Sequence, residues 1–389
     1  MSTRYASIVV ISMAVAGPAS AASYRAFLLQ DVGGAGNSLA LAINDSDQMV
    51  GFSDQMVGYN SSEGVLWSGT TLTGMALQDV GGAGNSEANA INASGQVVGQ
   101  SLIANRNPEA VLWSGTTLTG TALKAVVNGA SFSAAKGINA SGQIVGYSRT
   151  ANSQVATLWS SNGTGTRLQD VGGFGFSAAY AINDNGEIVG SSTTATGRPE
   201  AVLWSSSTRT GKALQDVSGG VDSGALGVND DGQIVGYSSP ANAHGVLKNA
   251  VLWSSNGTGT TLQDVGGKGD SRANAINDRG QIVGLSSVDA VVWSSSTGMG
   301  TNLATFLGSG WRNTVATAIN DSGDIVGYGV FNGSRRAFLL IPTLGVRAPA
   351  PVPEPSTWVL ALLGFGALGL ARYRQTRRPS RRSASAMRS

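Results

Sequence analysis

The sequence predicts an all-β protein, and within that class a seven-bladed β-propeller. One twelve-residue pattern occurs seven times in the 389 residues: an aliphatic residue before an asparagine, a polar turn, and an aliphatic-valine-glycine run. Successive copies lie 43–48 residues apart, which is the length of one four-stranded propeller blade. The composition agrees, because 55 glycines and a charged fraction of only 12% favour strands and turns over helices. The seven asparagines are Asn44, Asn92, Asn139, Asn183, Asn229, Asn277 and Asn320.

Each copy of the pattern predicts a β-hairpin. In the fourth copy, the expected strands are Ala181–Asn183 and Glu187–Gly190, joined by Asp184-Asn185-Gly186. The Asn-Gly pair predicts a type I′ turn, in which both central residues have positive φ. Six copies keep glycine at this turn position, whereas the first copy has Asp47.

Two further segments complete a four-strand repeat of about 46 residues. The first is a strand that ends in Trp in six repeats, such as Val65–Trp67, and its seventh equivalent is Ala337–Leu340. The second is a Leu-Gln-Asp-Val tetrapeptide, which we expect to be the fourth strand. Because Leu29–Val32 precedes the first complete repeat, we expect it to fill the last blade and close the ring. An open β-solenoid is the alternative, although its coils are usually shorter, about 20–30 residues.

The first repeat contains a tandem duplication. Asp47–Ser53 reads DQMVGFS, and Asp54–Asn60 follows at once as DQMVGYN. Either copy could form the second strand of the repeat, and the other must then lie in a loop.

Residues 1–21 are predicted to be a secretory signal peptide. Arg4 supplies the positive charge, Ala6–Ala16 is an apolar run too short to span a bilayer, and Ala19 and Ala21 mark the small-residue cleavage site. Export would then use the Sec machinery and a signal peptidase, since no arginine pair indicates the twin-arginine route. A buried first strand is the alternative interpretation.

The composition changes after residue 342, where the predicted repeat domain of residues 22–342 ends. Residues 343–355 form a Pro/Ala-rich linker with a Pro-Glu-Pro motif, and residues 356–371 form an apolar segment that we expect to be one transmembrane helix. Residues 372–389 are rich in arginine, which the positive-inside rule places in the cytoplasm. The arginines nearest to the apolar segment are Arg372, Arg374, Arg377 and Arg378.

This C-terminal order strongly resembles the PEP-CTERM sorting signal, which has a Pro-Glu-Pro motif, one hydrophobic span and an arginine-rich end. The resemblance implies recognition at or near Pro353, Glu354 and Pro355 by an exosortase, a membrane peptidase of the sorting system. It also implies transient anchoring in the inner membrane of a Gram-negative bacterium, followed by residence at the cell surface or in the extracellular matrix.

The repeats resemble the HAF family of extracellular repeats. That family carries the same Ile-Asn…Gly-x-Ile-Val-Gly core and a following Ala-Phe-Leu-Trp-type strand. The nearest matches to that strand are Arg25–Leu28 and Arg336–Leu339, whereas most inner repeats have Ala-Val-Leu-Trp instead. The resemblance covers most of the repeat domain. It implies an extracytoplasmic location and brings no activity or catalytic residue with it.

The small positive net charge of the chain belongs to its tail. The whole chain has 25 basic and 23 acidic residues. Without Arg4, the seven tail arginines and Glu354, 17 basic and 22 acidic residues remain, so the exported part has a net charge near −5. We therefore infer no role in nucleic-acid binding.

Few residues could carry chemistry. The chain has no Cys and a single His, so a Ser-His-Asp triad would depend on His244, with no nucleophile elbow nearby, and a Cys/His metal site is excluded. Oxygen-rich turns such as Asp184-Asn185-Gly186 and Asn229–Gly232 lack the spacing of a calcium loop. Glycine-rich turns such as Gly33–Gly36 recur before strands, whereas a phosphate loop precedes a helix. We therefore assign no catalytic, cofactor-binding or metal-binding residue.

The aspartates of the Leu-Gln-Asp-Val segments are interpreted as structural. They recur in five copies of one segment, whereas an active site is a single place, and an aspartate beside a turn accepts backbone N–H bonds. They are Asp31, Asp79, Asp170, Asp216 and Asp264. A carboxylate pair for glycoside hydrolysis stays open as a hypothesis.

The sequence thus favours an exported, non-enzymatic surface or extracellular-matrix protein. The alternative is a secreted propeller enzyme or lectin that acts on polysaccharide. An extracellular polysaccharide is a candidate partner under both hypotheses.

Overall fold

The computed structural model describes residues 23–343, apart from residues 33, 56–61, 83, 103–106, 115–117, 128–129, 218, 220–221, 241–246, 268 and 296. The chain divides into two units, Met1–Thr343 and Leu344–Ser389. The predicted signal peptide, the linker, the transmembrane segment, the arginine-rich tail and His244 lie outside the described residues. Within the described part, no helix is long and apolar enough to cross a membrane.

The described residues form an antiparallel β structure with 59% strand and 1% helix, which confirms the all-β prediction. The first three repeats contain β1 (Ser23–Leu28), β2 (Gly34–Ile43), β3 (Gln48–Gln55), β4 (Ser62–Ser68), β5 (Gly74–Ala76), β6 (Ser86–Ile91), β7 (Val97–Leu102), β8 (Pro108–Ser114), β9 (Thr119–Ala122), β10 (Phe132–Ile138), β11 (Ile144–Arg149), β12 (Gln154–Trp159) and β13 (Gly165–Arg167).

The remaining repeats follow the same plan, with one short helix. They contain β14 (Gly173–Ile182), β15 (Glu187–Thr194), β16 (Pro199–Ser205), β17 (Gly211–Ala213), β18 (Ser223–Val228), β19 (Ile234–Ser238), β20 (Asn249–Trp253), β21 (Gly259–Thr261), β22 (Ser271–Ile276), β23 (Gln281–Ser286), β24 (Asp289–Ser294), β25 (Gly300–Asn302), α1 (Ala304–Leu307), β26 (Trp311–Ile319), β27 (Ile325–Phe331) and β28 (Ser334–Thr343).

Strands that are consecutive in a repeat pair with each other, so most repeats form a sheet of four. The described sheets have the orders β2-β3-β4-β5, β6-β7-β8-β9, β18-β19-β20-β21, β22-β23-β24-β25 and β1-β28-β27-β26. The strands from β10 to β17 form one sheet of eight, because β12 and β14 meet in parallel at the pair Gln154 and Phe176. The first strand of each repeat lies beside the first strand of the next. We call these the inner strands; they are β2, β6, β10, β14, β18, β22 and β26.

The hairpin turns differ from the predicted type I′. Gly186 has φ +79°, but Asn185 is not in the left-handed region. The N–H of Gly186 donates to the C=O of Asn183 over 3.1 Å. This is a three-residue loop with a left-handed residue at its end, in which only the glycine needs positive φ. In the first copy, Asp47 adopts φ +58° at the glycine position.

The prediction that Leu-Gln-Asp-Val forms a strand is wrong. The fourth strand is the short segment before it, such as Gly74–Ala76, and Leu29–Val32 follows the strand Ser23–Leu28. Leu29 is fully buried, and the C=O of Gln30 accepts a 2.7 Å hydrogen bond from Trp67 Nε1. The tetrapeptide therefore covers the tryptophan of the neighbouring sheet and does not pair as a strand.

The core lies between neighbouring sheets. Trp67, fully buried, packs with Leu29 and Met49 and with Val326 and Leu339 of the last repeat. The tryptophans of the third strands are all at most 1% exposed: Trp67, Trp113, Trp159, Trp204, Trp253 and Trp293. One large aromatic side chain therefore lies in the apolar core between most neighbouring sheets.

The N-terminal strand completes the sheet of the last repeat. β1 pairs antiparallel with β28, with Arg25 opposite Ile341 and Phe27 opposite Leu339. The expected exchange between the two ends of the domain is present, but the strand is Ser23–Leu28 and not Leu29–Val32. Of the tandem duplication, the first copy forms β3, and the residues after Gln55 in the second copy lie outside the described part.

Removing the N-terminal strand should destabilise the domain strongly. Deletion of residues 22–28 exposes the edge of β28 and removes Tyr24, which is 7% exposed and contacts Phe306 at 5.4 Å. A fully buried side chain of this size contributes about 1.5–3 kcal/mol. Thermal unfolding of this variant and of a control truncated after Thr343 should show a large loss of Tm for the first only. Equal Tm values would contradict the role of β1.

Candidate functional site

The repeated asparagines form a closed cycle of hydrogen bonds, which we call the asparagine ring. The Nδ2 group of each asparagine donates to the backbone C=O of the asparagine in the next repeat, and Asn320 donates back to Asn44 over 3.2 Å. The other six distances are between 2.8 and 3.1 Å, for the donors Asn44, Asn92, Asn139, Asn183, Asn229 and Asn277. Seven links return to the starting residue, so every repeat is tied to two others.

Each asparagine also organises its own hairpin. Asn44 Oδ1 accepts the N–H of Gln48 over 2.9 Å, and Asn44 Nδ2 donates to Gln48 Oε1 over the same distance. The seven asparagines are only 3–6% exposed. A buried amide with its donors and acceptor used in this way contributes to stability, whereas one without partners would cost free energy.

The asparagine ring surrounds one end of an axial cavity of about 280 Å³. The lining is repetitive, because each copy contributes an Ile or Val, the asparagine and the residue after it. In five copies that residue is an aspartate, and its Oδ1 accepts the N–H of the equivalent residue in the preceding copy over 2.7–2.9 Å. These are Asp45, Asp184, Asp230, Asp278 and Asp321.

The five aspartates place several negative charges close together at this end of the cavity. Burial raises the pKa of Asp278 and of Asp321, and the charges of neighbouring aspartates raise it further. Within the described residues, no group of three or more acidic or histidine side chains is arranged to hold a metal ion. Asp184 Oδ1 accepts the N–H of Ala140, and Asn185 Nδ2 donates to the C=O of Asp230, so both side chains make hydrogen bonds between turns, which is ordinary turn chemistry.

The aspartates of the Leu-Gln-Asp-Val segments hold the glycine-rich turns. Asp31 accepts the N–H of Gly36 over 2.6 Å and the hydroxyl of Ser53 over 2.5 Å. Burial alone would raise the pKa of Asp264, but hydrogen bonds from Ser286 and from three glycine N–H groups outweigh it and lower the pKa. The predicted structural contacts of these residues are therefore present in the fold.

The seam between the first and last repeats differs from the other junctions. Most repeats have glycine and glutamine where these two have Asp47 and Asp324. Asp324 is 6% exposed, and Asn320 Nδ2 donates to Asp47 Oδ1 over 3.2 Å. Burial, a hydrogen bond with Asp47 and the charge of Asp47 raise the pKa of Asp324 to about 6. Two carboxyl groups therefore meet where the chain closes.

A second layer of the inner strands is not repetitive. Every inner strand has a one-residue β-bulge three positions before its asparagine, between two small residues such as Ala135 and Gly137. A bulge leaves one residue unpaired and re-aims its side chain, and bulges are common beside active sites. The seven residues, which we call the bulge ring, are Leu41, Asn89, Lys136, Tyr180, Leu226, Asn274 and Thr317.

Three members of the bulge ring link neighbouring inner strands. Asn89, Asn274 and Thr317 each donate to a backbone C=O of the next strand, over 2.8–2.9 Å. Lys136 and Tyr180 make no such link, and both are partly exposed. Because the surrounding framework repeats and these residues do not, the bulge ring is the best candidate for a specific site.

The bulge ring was not among the residues that the sequence predicted to be functional. In the sequence, the residue immediately before each copy of the twelve-residue pattern varies among Leu, Asn, Lys, Tyr and Thr. This variation can be interpreted only once the bulge is known. In a regular strand the side chains simply alternate between the two faces, so the sequence does not show that this side chain is placed differently from its small neighbours.

The C-terminal residues 351–378 match the family described as the PEP-CTERM protein-sorting motif. This signal supports an exported protein that is processed by an exosortase and resides at the surface of, or outside, a Gram-negative cell. No curated protein matches the chain.

Solved structures share the fold of the repeat domain. Oligogalacturonate lyase from Vibrio parahaemolyticus is 8% identical, with 82% of this chain and 93% of that chain covered and a TM-score of 0.54. The β-propeller domain of the Trilobed protease from Pyrococcus furiosus is 10% identical, with 84% and 99% covered and a TM-score of 0.51. At such identities, the similarity establishes a propeller-like fold and does not transfer an activity.

Loss of one ring asparagine should cost more than loss of an exposed asparagine in the same turn. Asn183→Ala removes bonds to the N–H and carboxylate of Glu187 and to the C=O of Asn229, and leaves buried groups without partners. We expect a loss of about 1–3 kcal/mol in the free energy of unfolding. Asn185→Ala is the matched control. Because Asn185 is exposed, its substitution should lower the free energy of unfolding much less. Chemical denaturation measures both, and equal losses would contradict the role of the ring.

The seam should make stability depend on pH. The pKa of Asp324 is raised from 3.8 to about 6 in the folded state, so its contribution is present at low pH and is lost as pH rises through about 4–6. The free energy of unfolding should therefore fall by about 1 kcal/mol between pH 5 and pH 7.5. Asp324→Asn should abolish that difference and stabilise the protein at pH 7.5, whereas the control Asp231→Asn, at an exposed turn residue, should keep it. An unchanged pH profile in Asp324→Asn would show that the pair does not titrate as described.

Proposed function

We propose that this protein is an exported, non-enzymatic surface or extracellular-matrix protein that associates with exopolysaccharide. The observation that carries the proposal is the sorting motif at residues 351–378. It follows a separate β-structured unit, so the tail can direct the location of a folded domain without taking part in it. Most of the polar groups that recur in the repeats are used in hydrogen bonds between strands and turns, as expected for a structural module.

The β unit is proposed to be a closed seven-bladed propeller of HAF-type repeats. The return of the asparagine ring from Asn320 to Asn44 supports closure, and so does the pairing of β1 with β28. Each of the seven inner strands then begins one blade, and the sheet of eight strands counts as two blades. A closed ring protects the sheet edges, which lowers the risk of aggregation outside the cell.

The terminal segments are proposed to act in export. Residues 1–21 would enter the Sec pathway and be removed by signal peptidase after Ala21. Residues 356–371 would then anchor the chain in the inner membrane, with Arg372 and Arg374 on the cytoplasmic side because moving such charges across a bilayer is costly. The exosortase would act near Pro353 to Pro355, where proline prevents a helix from extending out of the membrane.

A polysaccharide-active lectin or enzyme is the second candidate function. Its support is the bulge ring, where Lys136 and Tyr180 are partly exposed and donate to no backbone C=O of the next inner strand. The fold is compatible, because an oligogalacturonate lyase shares it with a TM-score above 0.5. A glycan-binding assay paired with a hydrolysis or lyase assay on the same glycans separates the lectin from the enzyme.

The tail should be removed during sorting. In a host with an exosortase, intact-mass analysis of surface material should show the loss of residues 358–389. Replacing Pro353, Glu354 and Pro355 together by alanine should keep the tail and leave the protein in the inner membrane fraction. Pro349→Ala, in the same linker, is the control and should be processed normally. Surface material that still carries the arginine-rich peptide would contradict the proposed processing.

A further inference from the structure

Six side chains near the bulge ring take no part in the asparagine ring or in the apolar core. They lie together on five consecutive repeats. We call them the arc: Glu87, Lys136, Tyr147, Tyr180, Tyr237 and Arg272. All six are partly exposed, so a ligand can reach them. Lys136 and Tyr180 are bulge residues, and Glu87 and Arg272 lie two positions before the bulges of their own strands. Tyr147 and Tyr237 lie on second strands, opposite Ala134 and Gly224.

The arc is continuous around the inner strands. The inner strands β6, β10, β14, β18 and β22 lie side by side in this order. The strand β11, which carries Tyr147, packs against β14, and the strand β19, which carries Tyr237, packs against β22. The side chains of the arc therefore lie on adjoining strands and can form one surface.

The two cations of the arc donate their described hydrogen bonds to neutral amides. Lys136 Nζ makes one hydrogen bond within the described part of the chain, to Asn89 Oδ1 over 3.3 Å. Burial lowers the pKa of Lys136, and Glu87 raises it only in part. Arg272 Nε donates to Asn274 Oδ1 over 2.9 Å. Partly desolvated cations whose described acceptors are neutral amides favour an anionic ligand, and a carboxylate fits the guanidinium fork well.

An acceptor beside the arc also lacks a partner. Gln100 Nε2 donates to Glu87 Oε2 over 2.9 Å, which fixes the orientation of the amide. Gln100 Oε1 is buried and has no hydrogen-bond partner among the described residues. Because this oxygen is buried, a ligand does not reach it, and the contribution of Gln100 to the arc is to hold the Glu87 carboxylate in place.

The tyrosines provide flat surfaces. Tyr147 stacks on Phe132, with 5.7 Å between ring centres and an angle of 4° between the rings. Tyr237 has the ammonium group of Lys248 4.2 Å from its ring centre. A Cβ atom at Gly224 would lie 2.9 Å from the Tyr237 ring, so the glycine makes room for it. Partly exposed phenol rings offer both an apolar face and a hydroxyl, which suits the C–H face and the hydroxyls of a pyranose.

We propose that the arc binds a saccharide that carries carboxylates, namely a chain of uronic acids. This inference rests on the proposed association with exopolysaccharide and specifies the class of polysaccharide. Carboxylates of the chain pair with Lys136 and Arg272, and sugar faces pack on the partly exposed rings of Tyr147 and Tyr180 between them. The five aspartates next to the asparagine ring give that end of the inner strands a negative charge, which repels the same chain.

The test uses the purified full-length chain in detergent and four uronic-acid tetramers as probes: glucuronate, galacturonate, mannuronate and guluronate. Calorimetry should detect binding of at least one tetramer. Its methyl ester and a neutral glucose tetramer should bind at least about tenfold more weakly, since both lack the charge. Lys136→Met and Arg272→Met should each weaken binding by about tenfold or more, whereas Lys136→Arg should retain most of it. Lys212→Met, at an exposed lysine on β17, is the control and should bind like the wild type.

The outcomes separate this inference from the proposed function. Equal binding of the acid and its ester, preference for a neutral glycan or for a single-stranded oligonucleotide, or no binding of any tetramer would overturn the role of the arc. None of these results changes the cell fraction in which the protein is found. Retention of the processed protein inside the cell would instead overturn the proposed function. The ester comparison needs no variant, so it stays decisive even if a substitution at Lys136 lowers the Tm.

Discussion

The fold depends on the hydrogen bonds of seven buried asparagines. Each side chain shapes its own turn through its oxygen and reaches the next repeat through its nitrogen, as Asn44 does with Gln48 and Asn92. A buried amide with unsatisfied groups costs free energy, so the arrangement is stable only when every repeat is in place. The tryptophans, and Phe338 in the last repeat, add to the apolar core of the junctions, but the asparagines fix the register between inner strands.

This framework separates structural residues from those that are free to vary. Small residues flank each bulge because inner strands lie close together; a Cβ atom at Gly137 would come within 3.2 Å of Ala181 Cα. The bulge residue between them is the exception, since its side chain leaves the pairing pattern. A repetitive sequence can therefore carry a specific surface, such as one with Lys136 and Tyr180, without disturbing the repeats.

The junction of the two chain ends departs from the repeat pattern. Asp47 and Asp324 replace glycine and glutamine there, and the raised pKa of Asp324 is the consequence of bringing two carboxyl groups together in a buried place. The β1 strand adds backbone pairing to the same sheet, because it pairs with β28. The closing junction thus combines strong backbone pairing with an electrostatic cost that the other junctions do not have.

The sequence by itself determined the period, the all-β class and the sorting motif, because these are local patterns of turn residues, strand formers and tail composition. It also indicated that Asp31 and its equivalents are structural. Only the tertiary structure decided the turn type around Gly186, the place of the fourth strand at Gly74–Ala76, and the bulges. The fourth strand and the following Leu-Gln-Asp-Val segment are both short and apolar in part, so periodicity does not tell which one pairs. The arc joins residues from five repeats, and their proximity follows from ring geometry that no local pattern contains.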